Sequence, residues 1–302
     1  MKNKTAYILG ILLTILIGSY LNSSYCCQDD SVTETDVVQP LIVEPTKNAF
    51  NIFDSQNDFS VNDMDNYNFK LSSSSILKPL SDNVTKGVAA VSEYIASHPE
   101  RAINITGHYK SDEVNNSAFP NLGLARANAI KNHFVANGVP ARHINTFGVL
   151  DDDFVSDANN TLYGPVSFEI SDLSSQEALL EEMEAIAAEI KGKPLLLNFK
   201  TGAATLTLTP EQRIKVAKIA RYLDKVDAST CRIVGHTDNT GSPEGNLVLG
   251  QQRADFAKDY LVRNHIRDSK VTSISKGQEE PITSNDTPEG RSQNRRIEVT
   301  IN

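Results

Sequence analysis

The sequence predicts an α/β protein made of two tandem α/β sandwich units, each a βαβαβ-type mixed sheet with helices on one side, after one amino-terminal transmembrane or signal segment. Three observations carry this expectation. Over residues 195–301, short apolar runs alternate with helix-compatible amphipathic stretches, the pattern of strands packed against helices. The apolar run Cys231-Arg232-Ile233-Val234 ends in polar His236-Thr237-Asp238, crosses a loop rich in Gly, Ser, Pro and Asn, and enters a helix near Pro243, so it reads as strand, turn and helix start. The third observation is an internal repeat. Asn68-Phe69-Lys70 parallels Asn198-Phe199-Lys200, Gly107-His108 parallels Gly235-His236, and Leu122 to Ala127 parallels Leu249 to Ala254, at a nearly constant separation.

In chain order, residues 6–21 are uncharged and largely apolar, preceded by Lys2 and Lys4, with no further Lys or Arg before Lys47. The positive-inside rule then exports everything that follows. Two readings stand for residues 1–27, a cleaved signal peptide or a retained membrane anchor. The length of the run through Cys27 and Tyr25 before Cys26, where a small residue would be needed for lipidation, favour the anchor. Residues 28–65, rich in Asp, Asn, Ser and Thr, read as a flexible tether in which islands such as Phe50-Asn51-Ile52-Phe53 have no decisive periodicity. The first unit covers 66–170. A linker over 171–193 carries an amphipathic helix with Leu179, Leu180, Met183, Ile186, Ala187 and Ile190 on one face, which packs either on the second unit's sheet or against a partner helix. The second unit covers 194–302. It is expected to contain a strand over 195–199, a helix over 210–224 with Pro at its first turn, the Cys231 strand, a helix over 244–264, a strand over 271–276, a loop over 281–292 and a last strand over 296–301.

Composition narrows the function. The 302 residues carry a formal charge of −9 and no Lys/Arg run, which disfavours nucleic acid. Three cysteines make no disulfide framework, and Cys231, inside an apolar strand, reads as a buried small hydrophobe. His236 and Asp238 form an H-x-D, but no third metal ligand follows at usable spacing, and no nucleophile elbow or H-E-x-x-H is present. The chain is not expected to be an enzyme.

The chemistry concentrates between Gly235 and Arg253. Asp238 stands at a strand's carboxyl end, and Arg253 about two turns into the next helix, so both can face one crevice. A carboxylate opposite a guanidinium fork suits a small zwitterion, Asp238 taking an ammonium and Arg253 a carboxylate. An ordinary salt bridge tying loop to helix is the plainer alternative.

This segment resembles the peptidoglycan-binding domain of the OmpA family. It carries Thr237-Asp238, Gly241, Asn246, Leu249, Arg253-Ala254, Gly277, Pro281, Asn285, Thr287, Gly290-Arg291 and Asn294-Arg295-Arg296-Ile297-Glu298 in the family's order and spacing. It departs at Gly250, where the family usually has Ser, which puts a helix-surface hydrogen bond in doubt. The resemblance implies noncovalent binding of the peptidoglycan stem peptide at diaminopimelate, with Asp238 taking its ammonium and Arg253 its carboxylate. Thr237, Asn246 and Arg295 are further expected contacts. Arg295 is preferred to Arg296 because adjacent strand residues face opposite ways. The implied setting is a Gram-negative-type cell envelope, with the domains in the periplasm and the membrane, inner or outer, left open.

The first unit has Tyr109-Lys110 where the second has Thr237-Asp238, and Tyr163-Gly164-Pro165 where the second has Asn294-Arg295-Arg296. Lys110 reverses the charge an ammonium needs, so this copy is expected not to bind diaminopimelate. Its surviving Arg126 reads as a helix-surface residue or one with a plain structural or partner-binding role rather than a second ligand site, and Asp112 is a weak substitute for the lost acid. Two functions follow, a passive tether from membrane to wall or an envelope scaffold that binds a protein partner. Residues 6–21 hold no acidic residue, which argues against ion-driven force generation.

Overall fold

The computed structural model describes residues 13, 14, 16, 17, 19 and 20, then 44–198 and 207–302. It divides into two compact units, Met1–Val43 and Glu44–Asn302. In the first, the described residues are helical. Most of the expected membrane segment, and the tether up to residue 43, lie outside the described residues. Among the described residues no helix is long and apolar enough to cross a membrane.

From Glu44 on, the expected tether is ordered. Strands β1 (Phe50–Asp54) and β2 (Phe59–Asp63) form an antiparallel hairpin. Alternation along β1 turns Phe50 and Ile52 fully inward, while Asp54 binds Arg101 at 2.7 Å. The apolar islands are thus core residues of the first module; Gly87 leaves the space that the Phe50 ring occupies.

That module continues with β3 (Asn68–Lys70), α1 (Asp82–Ser97), β4 (Arg101–Tyr109), α2 (Leu122–Ala136), β5 (Ile144–Leu150), β6 (Thr161–Tyr163) and β7 (Val166–Asp172). Side chains of Ser81 and Asn121 cap the amino ends of α1 and α2. β4 is the central strand, parallel to β5 and antiparallel to β7, while β3 pairs with β6. Gly164 (φ +69°) and Pro165 separate β6 from β7 and split the closing strand in two.

The second module contains α3 (Gln176–Gly192), β8 (Leu195–Asn198), α4 (Pro210–Lys225), β9 (Cys231–His236), α5 (Pro243–Arg263), β10 (Val271–Gly277), α6 (Pro288–Asn294) and β11 (Arg296–Ile301). Its four strands lie in the order β10-β9-β11-β8, mixed in direction, with helices packed on the sheet. Thr209 and Gln212 form a reciprocal capping box ahead of Pro210. The loop expected over 281–292 ends in the short helix α6, which Thr287 caps. The α3 helix packs on this module: Met183, Ile186 and Ile190 are buried in its core, and Glu182 takes Arg221 of α4 in a two-pronged pair. Leu180, expected on the packed face, is instead exposed. Cys231 is buried, and burial pushes its thiol up to about 12, as suits an inert core residue.

In both modules the first helix after the central strand crosses that strand at a pair of glycines. A Cβ on Gly235 would lie 2.0 Å from the Gly250 carbonyl oxygen, and one on Gly107 would lie 2.0 Å from that of Gly123. Gly250 is therefore not on a helix surface. It lies in the helix-strand contact, where a serine side chain would meet the Ser275 hydroxyl. The modules also share an interface. Lys131 of α2 pairs with Asp224 of α4 at 2.5 Å, Asn132 donates to the His265 carbonyl at 2.9 Å, and Phe119 enters the second core.

Gly235→Ala should lower unfolding stability by about 1–3 kcal/mol or more, because the obstacle is backbone and cannot move aside. Gly192→Ala, at a position with open space around it, should cost nothing. Denaturant unfolding of the two variants checks the pair.

Candidate functional site

The second crevice is assembled where β9 leaves the sheet. The Thr237 amide donates to the Gly277 carbonyl at 2.8 Å, extending the β9–β10 pairing past a register shift at Gly277, whose φ of +50° suits glycine. The chain then turns on Asp238, whose Oδ1 accepts the Thr240 amide at 2.9 Å in an Asx turn. Its Oδ2 accepts Arg295 Nη1 at 2.7 Å. Burial alone would raise the Asp238 pKa; the bonds from Arg295 and Thr240 outweigh it and hold the carboxyl below the ordinary range.

Arg253 comes from α5, three residues beyond Gly250. Helical side chains lean toward the helix amino end, so its guanidinium reaches back toward the strand end. Burial, then the positive charge of Arg295, lower its pKa, and Asp238 partly offsets them. An arginine nonetheless stays charged at any working pH. Among the described residues, its buried Nη1 has no hydrogen-bond partner, and neither does the buried Thr237 hydroxyl. Asp238, Arg253 and Arg295 thus form one charged cluster at the end of β9, beside Thr237.

Asn246 is engaged elsewhere. Its amide donates to Gln278 Oε1 at 2.6 Å, tying the start of α5 to the loop after β10. The two neighbouring arginines do not alternate across a strand as expected. Arg295 is the carboxyl cap of α6, and only Arg296 belongs to β11. Arg296 is buried, lies 3.8 Å from Glu298 and donates to the Glu280 carbonyl at 3.2 Å. Arg291 bonds the carbonyls of Asn285 and Asp286, while Asn294 accepts from Ile282 and Thr283 and donates to Thr283 and Asn285. These two residues shape the loop that delivers Arg295.

In the first module Arg126 takes the place of Arg253, and it is fully buried rather than on a helix surface. Its guanidinium is paired with Glu113, through Nη1 to Oε2 at 3.0 Å and through Nη2 to Oε1. Asp112, the expected substitute acid, is exposed. Sequence reasoning passed over Glu113 because it lies in an irregular loop outside every motif. The lone signal was an unmatched Arg126 with an acid one position beyond Asp112.

The fold and the crevice define a class, a tandem α/β module whose polar groups converge at the end of a central strand. The chain belongs to the OmpA family, whose model matches residues 68–162 and 198–295. It is 39% identical over 95 residues to the outer membrane protein A of Bordetella avium, covering 32% of this chain and 49% of that one. It is 42% identical over 85 residues to the peptidoglycan-binding protein ArfA of Mycobacterium tuberculosis, covering 27% of this chain and 26% of that protein. The chain therefore spans about half or less of these relatives' length. The crystal structure of the peptidoglycan-associated lipoprotein from Burkholderia pseudomallei aligns with 37% of the chain and 92% of its own, at 25% identity and a TM-score of 0.33.

Burial first, then Arg296, push the His236 imidazole down to about 4, and burial first, then Lys131, do the same to His265. Between pH 6.5 and 4 the unfolded chain holds these protons and the folded chain does not, so stability should fall as pH drops through that window. The loss expected is on the order of 2 kcal/mol per histidine. Carboxylates with lowered pKa, such as Asp238 and Glu113, add their own loss chiefly as the pH falls below their ordinary values of 3.8 and 4.5. Thermal unfolding from pH 7 to 4.5 should show the slope, and His236→Gln should remove about half of it, leaving the share of His265.

Proposed function

We propose that the second module, residues 194–302, binds peptidoglycan noncovalently at the diaminopimelate of the stem peptide, and that the chain tethers a membrane to the cell wall as a non-catalytic envelope protein. The observation that carries this reading is the state of the two equivalent arginines. Arg126 is saturated by its own module's carboxylate, whereas Arg253 keeps a buried Nη1 with no hydrogen-bond partner among the described residues. A buried guanidinium nitrogen left unbonded is costly, and a ligand carboxylate would relieve that cost.

Asp238 complements it. A carboxylate offers roughly four acceptor positions, so after Arg295 and Thr240 it retains capacity for an ammonium. Arg295 then holds Asp238 in place and adds positive potential beside the ligand's carboxylate. The Thr237 hydroxyl is a further contact, and Asn246 acts by positioning α5. The segment 1–27 is the membrane end of the tether, and the domains lie in the periplasm. The first module, which the ordered β1–β2 hairpin extends upstream of the expected 66–170, serves as scaffold, since its site holds Glu113 and presents Lys110 where an acid would be needed.

The test is sedimentation of the full-length chain in mild detergent with purified insoluble peptidoglycan, with free diaminopimelate as competitor. Asp238→Ala and Arg253→Ala should each weaken binding by about 2 kcal/mol or more, roughly 30-fold. Arg126→Ala should lower stability and leave wall binding unchanged. Absence of wall binding by the wild-type chain would transfer the function to a protein partner, and binding that survives both second-module substitutions would move the wall contact away from Asp238 and Arg253.

A further inference from the structure

The carboxylate on Arg126 is held more completely than an ordinary ion pair requires. The Glu113 side chain is 1% exposed. Its Oε1 accepts from Arg126 Nη2 and from the Ser72 amide at 2.8 Å, and its Oε2 accepts from Arg126 Nη1 at 3.0 Å and from the Lys110 amide at 2.9 Å. Four donors around one carboxylate, two from a guanidinium fork and two from backbone, make a built anion site. The rest of Arg126 is equally fixed: Nη1 reaches the His108 carbonyl at 2.8 Å, Nε reaches that of Ser73 at 3.0 Å, and the guanidinium lies 5.6 Å from the Phe69 ring centroid. Burial would favour a protonated Glu113, but Arg126 outweighs it and keeps the pKa below the ordinary value.

The loop that brings Glu113 in then turns outward and meets the second module. The Val114 amide bonds Ser72 Oγ at 2.9 Å. The carbonyls of Asn115, Ser117 and Phe119 receive the guanidinium of Arg213 from α4. The Ala118 amide donates to Asn264 Oδ1 at 2.8 Å, and the Phe119 ring is fully buried in the second core. One short stretch therefore fills the first module's anion site and forms the surface on which the second module sits.

We propose that Glu113 is a carboxylate ligand supplied by the chain itself, and that its occupancy of the Arg126 site fixes the loop in the shape to which the second module docks. The comparison with a diffusible ligand rests on reading Arg253 as the carboxylate grip of the second module. The occupancy of Arg126 stands on its own contacts. The ligand class that the site takes is a small carboxylate, and the part of Glu113 removed by truncation to alanine has the size and charge of acetate.

The experiment is chemical rescue in the full-length chain. Thermal unfolding and amide hydrogen exchange at residues 117–119 are measured for wild type, Glu113→Ala and Glu113→Gln, each in sodium acetate, in sodium chloride of equal ionic strength, and in acetamide. Glu113→Ala should melt several degrees lower, with faster exchange at 117–119, and acetate alone should restore both. Glu113→Gln, which fills the space without the charge, should stay loosened and gain nothing from acetate. Acetate that fails to restore Glu113→Ala, whether that variant is loosened or unfolded, overturns the proposal. So does a Glu113→Gln protein matching wild type in both measurements, since the site would then not be reading charge. Wall sedimentation of the wild-type chain is scored separately, so failure of the peptidoglycan reading and failure of this one are distinguishable.

Discussion

The approach of helix to strand at paired glycines is the constraint on which both modules depend. Where Gly235 meets Gly250, and where Gly107 meets Gly123, no side chain separates the backbones, and the helix lies directly on the central strand. Three residues beyond each member of the pair stand the groups that matter. These are Asp238 and Arg253 in the second module, and Lys110 and Arg126 in the first. Because helical side chains lean toward the amino end, an arginine one turn past the glycine returns toward the strand's end. One packing contact thus sets the reach of the guanidinium twice over.

The two modules differ in how that guanidinium is answered. A buried charge needs a partner, and the first module finds one in its own loop, with two backbone amides added. In the second module the acid is Asp238, but Arg295 from the cap of α6 already binds it, so Asp238 acts on Arg253 only through its charge, and among the described residues Arg253 keeps an unbonded nitrogen. The loop before α6 makes this possible. Asn294, buried and bonded on all sides, holds the loop so that Arg295 arrives at Asp238 rather than in the sheet. In the first module the equivalent stretch is Tyr163-Gly164-Pro165, which cannot deliver a cation there.

The modules are also packed together, which a reading of them as beads on a tether would miss. The buried Lys131–Asp224 pair, the Arg213 fork on three loop carbonyls and the Phe119 ring bridge surfaces far apart in sequence. The α3 helix reinforces the second module through Met183, Ile186 and Ile190, with Glu182 and Glu189 reaching α4. Relative motion of the modules would have to expose Phe119 and unpair Lys131, both costly in water-free surroundings.

The sequence by itself determined the elements of the second module apart from the short helix α6, because its periodicity, prolines and capping residues act locally: Pro210 and Pro243 open helices, and the run from Cys231 has the apolar character and length of a buried strand. It also marked Asp238 and Arg253 as neighbours, and each does lie within electrostatic reach of the other, since strand-turn-helix geometry follows from spacing. Tertiary structure decided what spacing cannot encode. The hairpin of Phe50 and Ile52 needed the space left beside Gly87, so an isolated apolar island looked like linker until a core was there to receive it. Arg126 read as a surface or plain structural residue because helical periodicity says nothing about a loop folding back over it, and Glu113 went unnoticed for the same reason. Arg295 became Asp238's partner through a helix cap that the motif alone read as strand. Local chemistry chose the elements, and long-range burial chose which charges meet.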